Sequence, residues 1–135
     1  MRIFLDANVL FSGSNEASSV ARLLHELRRN NTLLTSDLAR EEARRNLARK
    51  RPHWLGGYKA LSEHVHAVPS ALFDLPVTLD SKDVPLLCAA IASRCDVFVT
   101  GDKRDFGHLY DRSVCGVKVL SLLALGQMLV KAEPG

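Results

Sequence analysis

Five short, mostly apolar runs separated by stretches with helical spacing constrain this chain more than any other feature. Arg2–Leu5, Thr32–Thr35, Val65–Val68, Asp96–Thr100 and Val117–Leu120 each read as a brief strand. They lack a clean polar alternation, as expected of strands covered on both faces. Between them, Val20, Leu23, Leu24 and Leu27 recur at helical spacing after two candidate caps, Asn15 and Ser18. A second helix is expected from Asp37 to Lys50, stopping before Pro52. A weaker third is expected between Trp54 and His64. The stretch "DVPLLCAAIASR" is apolar nearly all round and suits a deeply packed helix. A last helix from Ser121 to Lys131 offers Leu122, Leu125, Met128 and Leu129 as its buried face, and the tail "KAEPG" is expected to fray. Such alternation predicts an α/β fold, with helices on both sides of a mostly parallel sheet. In folds of this kind ligands sit beyond the carboxyl ends of the strands.

Length and charge narrow the classes. With 135 residues there is room for one core, so residues 1–135 are expected to form a single domain. No apolar stretch approaches a membrane span and no signal peptide is recognisable, which makes the cytoplasm the default and a membrane partner unexpected. Cys88, Cys95 and Cys115 are odd in number and lack C-x-x-C spacing, so they read as reduced core thiols, with a free surface thiol as the alternative. His25, His53, His64, His66 and His108 show no metal-binding spacing, and Trp54 reads as a helix anchor. Net charge is only +3, but six of the eighteen Lys and Arg fall in "REEARRNLARKR", from Arg40 to Arg51. Such a run attracts polyanions or simply forms a solvated helix face.

Two strands end on an acid. Asp6 follows Ile3-Phe4-Leu5, and Asp102 follows "DVFVTG". If both strands are central and parallel, both carboxylates leave the sheet on one edge. The plain alternative is an ordinary turn, which fits "TGDKRD" better than "IFLDANVL", where no Gly or Pro marks one. On the second helix, at about 100° per residue, Leu38, Ala39, Ala43 and Leu47 define one apolar arc. Glu42 and Asn46 fall on its edge, while Glu41 points away towards Arg44 and Arg45. A core-side carboxylate needs a partner, either a cation or an internal pair with Arg45 or Arg49. Asp83 precedes Val84-Pro85, so it can be the N-cap of the next helix. Carboxylates that converge in one cleft repel one another, and a divalent cation removes that penalty. Hard oxygen donors favour Mg²⁺ or Mn²⁺, as one or two ions, and such sites suit phosphate chemistry.

The segments "IFLDANVL", "TSDLAREEARRNL", "KDVPLLCAAI" and "VFVTGDKRDF" occur in the order found in PIN-domain proteins. The chain resembles that family over almost its full length, and most closely the bacterial VapC-like toxin ribonucleases and their chromosomal relatives. The resemblance implies a three-layer α/β/α sandwich around a parallel sheet of about five strands. It also implies a Mg²⁺- or Mn²⁺-dependent endoribonuclease whose hydrolysis leaves 5′-phosphate and 3′-hydroxyl ends. Asp6, Glu42, Asp83 and Asp102 match the family's four acids, Asp105 matches an additional acid of some members, and Asn8 and Thr100 match polar residues that orient them. Ala7 stands where many members carry Thr or Ser, which removes a hydroxyl but no ligand. The pair Glu41-Glu42 leaves the helix acid open to the resemblance alone, and helix phase favours Glu42. Arg45, Arg49, Lys50 and Lys103 are the candidates for holding an RNA backbone. A toxin role further implies an antitoxin protein over the acidic cleft, and often a homodimer.

Three other readings compete. A haloacid-dehalogenase phosphatase needs a second Asp two residues after the first, where this chain has Asn8. A response-regulator receiver needs an Asp after its third strand, and "PSALFDLP" serves poorly. Neither accounts for Glu42. The third is a non-catalytic PIN-fold module that binds RNA or protein; such members usually lack one or more of the acids, all of which are present here.

Overall fold

A computed structural model of the chain describes residues 1–132. Its strands are β1 (Arg2–Leu5), β2 (Thr32–Ser36), β3 (His66–Val68), β4 (Val97–Val99), β5 (Ser113–Val114) and β6 (Val117–Leu120), in the spatial order β3-β2-β1-β4-β6-β5. Five strands run parallel, and β5 alone pairs antiparallel, with β6. Flanking helices complete the expected α/β/α sandwich. The sheet has one strand more than the five expected. Two residues of β5 give no periodic signal, and the turn to β6 is Cys115-Gly116, both at positive φ (49° and 87°). That is the geometry of a tight hairpin, with Cys at a position where Asn or Asp is the usual cue. Cys115 is therefore exposed at a hairpin tip, while Cys88 and Cys95 are buried as expected.

The strand order grows outwards from β1 in one direction and from β4 in the other. The reversal between them is the switch point of a doubly wound sheet, where a crevice opens beyond the carboxyl ends. β1 and β4 are also the centre of the core. Ile3, Phe4, Leu5, Phe98 and Val99 are fully buried, and Phe4 stacks on its register partner Phe98 with ring centroids 5.3 Å apart.

The helices are α1 (Ala7–Gly13), α2 (Ser19–Leu27), α3 (Asp37–Lys50), α4 (Leu55–Ser62), α5 (Val84–Ala92), α6 (Lys103–Phe106) and α7 (Leu122–Ala132). Ser18 rather than Asn15 caps α2, its hydroxyl accepting from the Ala21 N–H at 3.0 Å. Ala39, Ala43 and Leu47 bury one side of α3 as expected, but Leu38 is 49% exposed and lies outside the arc. On α7, Leu125 is buried, and Leu122, Met128 and Leu129 pack against the core. Of the tail expected to fray, Lys131 and Ala132 belong to this helix and residues 133–135 lie outside the described residues.

Helix α1 escaped the sequence reading. It starts on the residue after Asp6 with no loop between, so one acid is all that separates the strand from the helix. Its C-terminal end rests on α4, where the Cα of buried Gly57 faces the Ser14 carbonyl oxygen. A methyl group there collides with backbone. Gly57→Ala is therefore expected to cost about 1–3 kcal/mol, despite alanine's better helix propensity. Gly56→Ala, which meets nothing, should instead gain up to about 1 kcal/mol. Urea denaturation of the two variants beside the parent checks both signs.

Candidate functional site

Parallel pairing of Leu5 with Val99 delivers Asp6 and Thr100 side by side at the carboxyl ends of the two central strands. The Asp6 N–H continues the ladder by donating to Val99 O at 3.0 Å. Its side chain is the N-cap of α1, with Oδ1 accepting from the Ala7 N–H at 2.7 Å. Oδ2 accepts from the Thr100 hydroxyl at 2.7 Å and from Asn8 Nδ2 at 3.1 Å. Thr100 is fully buried, and its Oγ1 also accepts from the Asp102 N–H at 3.0 Å and from Asn8 Nδ2 at 3.3 Å. Asn8 closes the junction, its Oδ1 accepting from the Gly101 N–H at 2.6 Å. Asp6 is thus a strand end and a helix cap at once. Burial is the main cause raising its pKa, helped by the charge of Glu42 and opposed by the hydrogen bonds from Thr100, Ala7 and Asn8.

Three further acids face the same space. Asp6, Glu42, Asp83 and Asp102 line one cleft of ≈ 300 Å³. Glu42, Asn46 and Lys50 follow at four-residue intervals along α3 and all reach it. Glu41 instead lies outside and accepts from Arg44 Nη2 at 2.6 Å. The internal pair considered for Glu42 is not formed: the four ion pairs among the described residues leave it out. Asp83 occupies the cap position of α5, yet its side chain accepts no capping hydrogen bond, so both oxygens are free of the helix backbone. Asp102 caps α6, with Oδ1 accepting from the Asp105 N–H at 3.1 Å. Asp83, Asp102 and Asp105 each offer an oxygen within 4.8 Å of the others.

Lys82 is the residue that sequence reasoning missed. Its Nζ donates to Asp105 Oδ2 at 2.8 Å and lies 3.2 and 3.4 Å from the Asp83 oxygens. The only clue in the sequence was its place beside Asp83, and a lysine in a loop reads as solvated. The ammonium holds the Asp105 carboxyl below its ordinary value. Asp83, only 5% exposed, goes the other way: burial lifts it to about 6, with the charges of Asp105 and Asp6 adding to the effect and Lys82 opposing it. The donor set is one that a hard divalent cation fits, being carboxylate oxygens only, with a positive side chain already drawn among them. Of the basic candidates, Lys50 lines the cleft. Arg45, Arg49 and Lys103 are exposed and do not line it, and Arg49 Nη2 donates to Asn46 Oδ1 at 3.3 Å. A larger groove of ≈ 770 Å³ between α2 and α7 has no carboxylate among its lining residues.

The family model described as "PIN domain" matches residues 2–104. A search of curated proteins finds no match. Among solved structures, the fold is similar to a chain in the crystal structure of VapBC2 from Rickettsia felis bound to a DNA fragment from their promoter. That superposition has a TM-score of 0.65 at 15% identity and covers 90% of this chain and 98% of the other.

Two outcomes follow from the geometry. Thr100→Val strands buried partners on Asp6, Asn8 and Asp102, and should lower stability by about 1–3 kcal/mol in urea titrations. Asp83 has a folded-state pKa of about 6, above its ordinary 3.8, so it withdraws stability as pH rises from 3.8 through 6. In EDTA, Asp83→Asn should match the parent's stability near pH 4 and exceed it near pH 7.5, by at most about 3 kcal/mol.

Proposed function

Because the chain belongs to the PIN-domain family, we propose that it is a Mg²⁺- or Mn²⁺-dependent endoribonuclease, and that residues 1–135 act as one nuclease domain. The observation that carries this reading is the convergence of Asp6, Glu42, Asp83 and Asp102 on one cleft at the switch point of the sheet. Asp6, Asp83 and Asp102 would hold the ion or ions, Glu42 completes the set, and Asp105 stands beside it. A bound divalent ion there supplies charge stabilisation for the phosphoryl oxygens and a more acidic water. The chain's own part is positional. Thr100 and Asn8 each donate to the Asp6 carboxylate, and Asn8 also donates to Thr100, which fixes the carboxylate's position. Lys50 meets the RNA backbone within the cleft, and Arg45, Arg49 and Lys103 extend a basic approach outside it. Cleavage in line with the departing 3′ oxygen leaves 5′-phosphate and 3′-hydroxyl ends.

The resemblance in sequence to VapC-like toxins and the similarity in fold to a chain of a VapBC assembly support a toxin role. In that role an antitoxin protein covers the acidic cleft, and the chain pairs with a second copy. No helix among the described residues is long and apolar enough to cross a membrane, in keeping with action in the cytoplasm. The non-catalytic alternative, an RNA-binding or protein-interaction module, is disfavoured because all four acids reach the cleft.

The structure also bears on which variants test the chemistry cleanly. Asp6→Asn would put an amide against the Asn8 amide and the Thr100 hydroxyl, confounding activity with folding. Asp83→Asn and Asp102→Asn spare that junction. In a nuclease-free preparation each is expected to lower RNA cleavage by about a hundredfold or more. EDTA should abolish the parent's activity, and added Mn²⁺ or Mg²⁺ should restore it. Full cleavage by Asp102→Asn, or by the parent in EDTA, would overturn the assignment.

A further inference from the structure

We propose that Lys82 is a built-in counter-cation, whose ammonium fills the acid cluster while no divalent ion is bound and must leave before an ion enters. This inference rests on the metal-dependent reading of the cleft. Its geometric basis is the position of Nζ, 2.8 Å from Asp105 Oδ2 and 3.2 Å from Asp83 Oδ2. Those two residues and Asp102 bring oxygens within 4.8 Å of one another. A small divalent cation with oxygen ligands at about 2.0–2.1 Å would compete for the same space. An ion and the ammonium cannot both sit there.

The attachment of Lys82 suits such an exchange. Its backbone is fixed, because Asp80 Oδ1 accepts from the Lys82 N–H at 3.1 Å and the Asp80 carbonyl accepts from Asp83 and Val84. Its side chain is not fixed to the same degree, being 61% exposed on a flexible four-carbon stem. A pair that open to water adds little to the stability of the fold. What the ammonium does supply is positive charge among carboxylates that burial and mutual repulsion otherwise disfavour. It also links the start of α5 to α6 across the mouth of the cleft, keeping the ligands of both elements close together. The consequence is a raised threshold: the site loads only when divalent ion is abundant enough to displace a tethered competitor. Once displaced, the ammonium remains tethered at the edge of the cleft.

The test is binding of Mn²⁺ alone to the metal-free full chain, followed by calorimetric titration at one pH and ionic strength, with no RNA present. Lys82→Gln should bind Mn²⁺ about tenfold more tightly than the parent, and Lys82→Arg, which keeps the charge and the donors, should bind like the parent. Thermal melting gives a second readout: Mn²⁺ should raise the Tm of Lys82→Gln more than that of the parent. Equal or weaker binding by Lys82→Gln, with parental binding still lost in Asp102→Asn, would overturn the counter-cation and leave the metal-dependent reading standing. No Mn²⁺ binding by the parent or by Lys82→Gln, or binding that Asp102→Asn leaves intact, would overturn both.

Discussion

The hydrogen bond from the Thr100 hydroxyl to the Asp6 carboxylate, 2.7 Å long and fully enclosed, is the joint on which this molecule turns. A hydroxyl has one proton to donate and two lone pairs, and all are used here: Asp6 takes the proton, and Asn8 and the Asp102 N–H approach the lone pairs. One side chain thereby connects the end of β1, the start of α1 and the loop that carries Asp102. In a low-dielectric interior a half-satisfied network of this kind would be costly, whereas a complete one fixes geometry. The joint sits on the switch point, so its order is passed directly to the cleft.

Around that joint the electrostatics are strained by design of the fold. Burial raises the pKa of Asp6 and Asp83, with the charge of Glu42 adding to it at Asp6 and those of Asp105 and Asp6 adding to it at Asp83. Lys82 relieves part of this from the outside, holding Asp105 ionised and opposing the upward shift of Asp83. The basic residues that dominate the sequence between Arg40 and Arg51 do not take this part. Arg44 pairs with Glu41, Arg49 bonds Asn46, and only Lys50 of that run reaches the cleft. A cluster of acids relieved by one exposed lysine is the electrostatic setting that the proposed divalent cation calls for.

Much of the fold was legible because its signals are local. β1 and β6 fall on the expected residues, and α3 spans the expected Asp37–Lys50, stopping before Pro52. What went unread were elements without a local signature. Helix α1 follows β1 with only Asp6 between them and no Gly or Pro to mark the change, and β5 is two residues long before a Cys-Gly turn. Leu38 misled for a related reason. It is apolar and adjacent to the buried arc, but the arc of α3 is narrow, spanning Ala39, Ala43 and Leu47. Within the cleft, helical phase alone separated Glu42 from Glu41, since a rotation of one residue decides which carboxylate faces the sheet.

The sequence by itself determined the parallel α/β architecture, the two acids at the ends of β1 and β4, and the face of α3 that carries Glu42. All of these follow from periodicity and from which residue closes an apolar run. Only the tertiary structure decided that Asp6 caps a helix, that Asp83 at the cap position of α5 gives its side chain to the cleft, and that Lys82 reaches Asp105. The physical reason is distance along the chain. Thr100 meets Asp6 across 94 residues and Lys82 meets Asp105 across 23, and no local pattern encodes a hydrogen bond that strand order alone brings within reach.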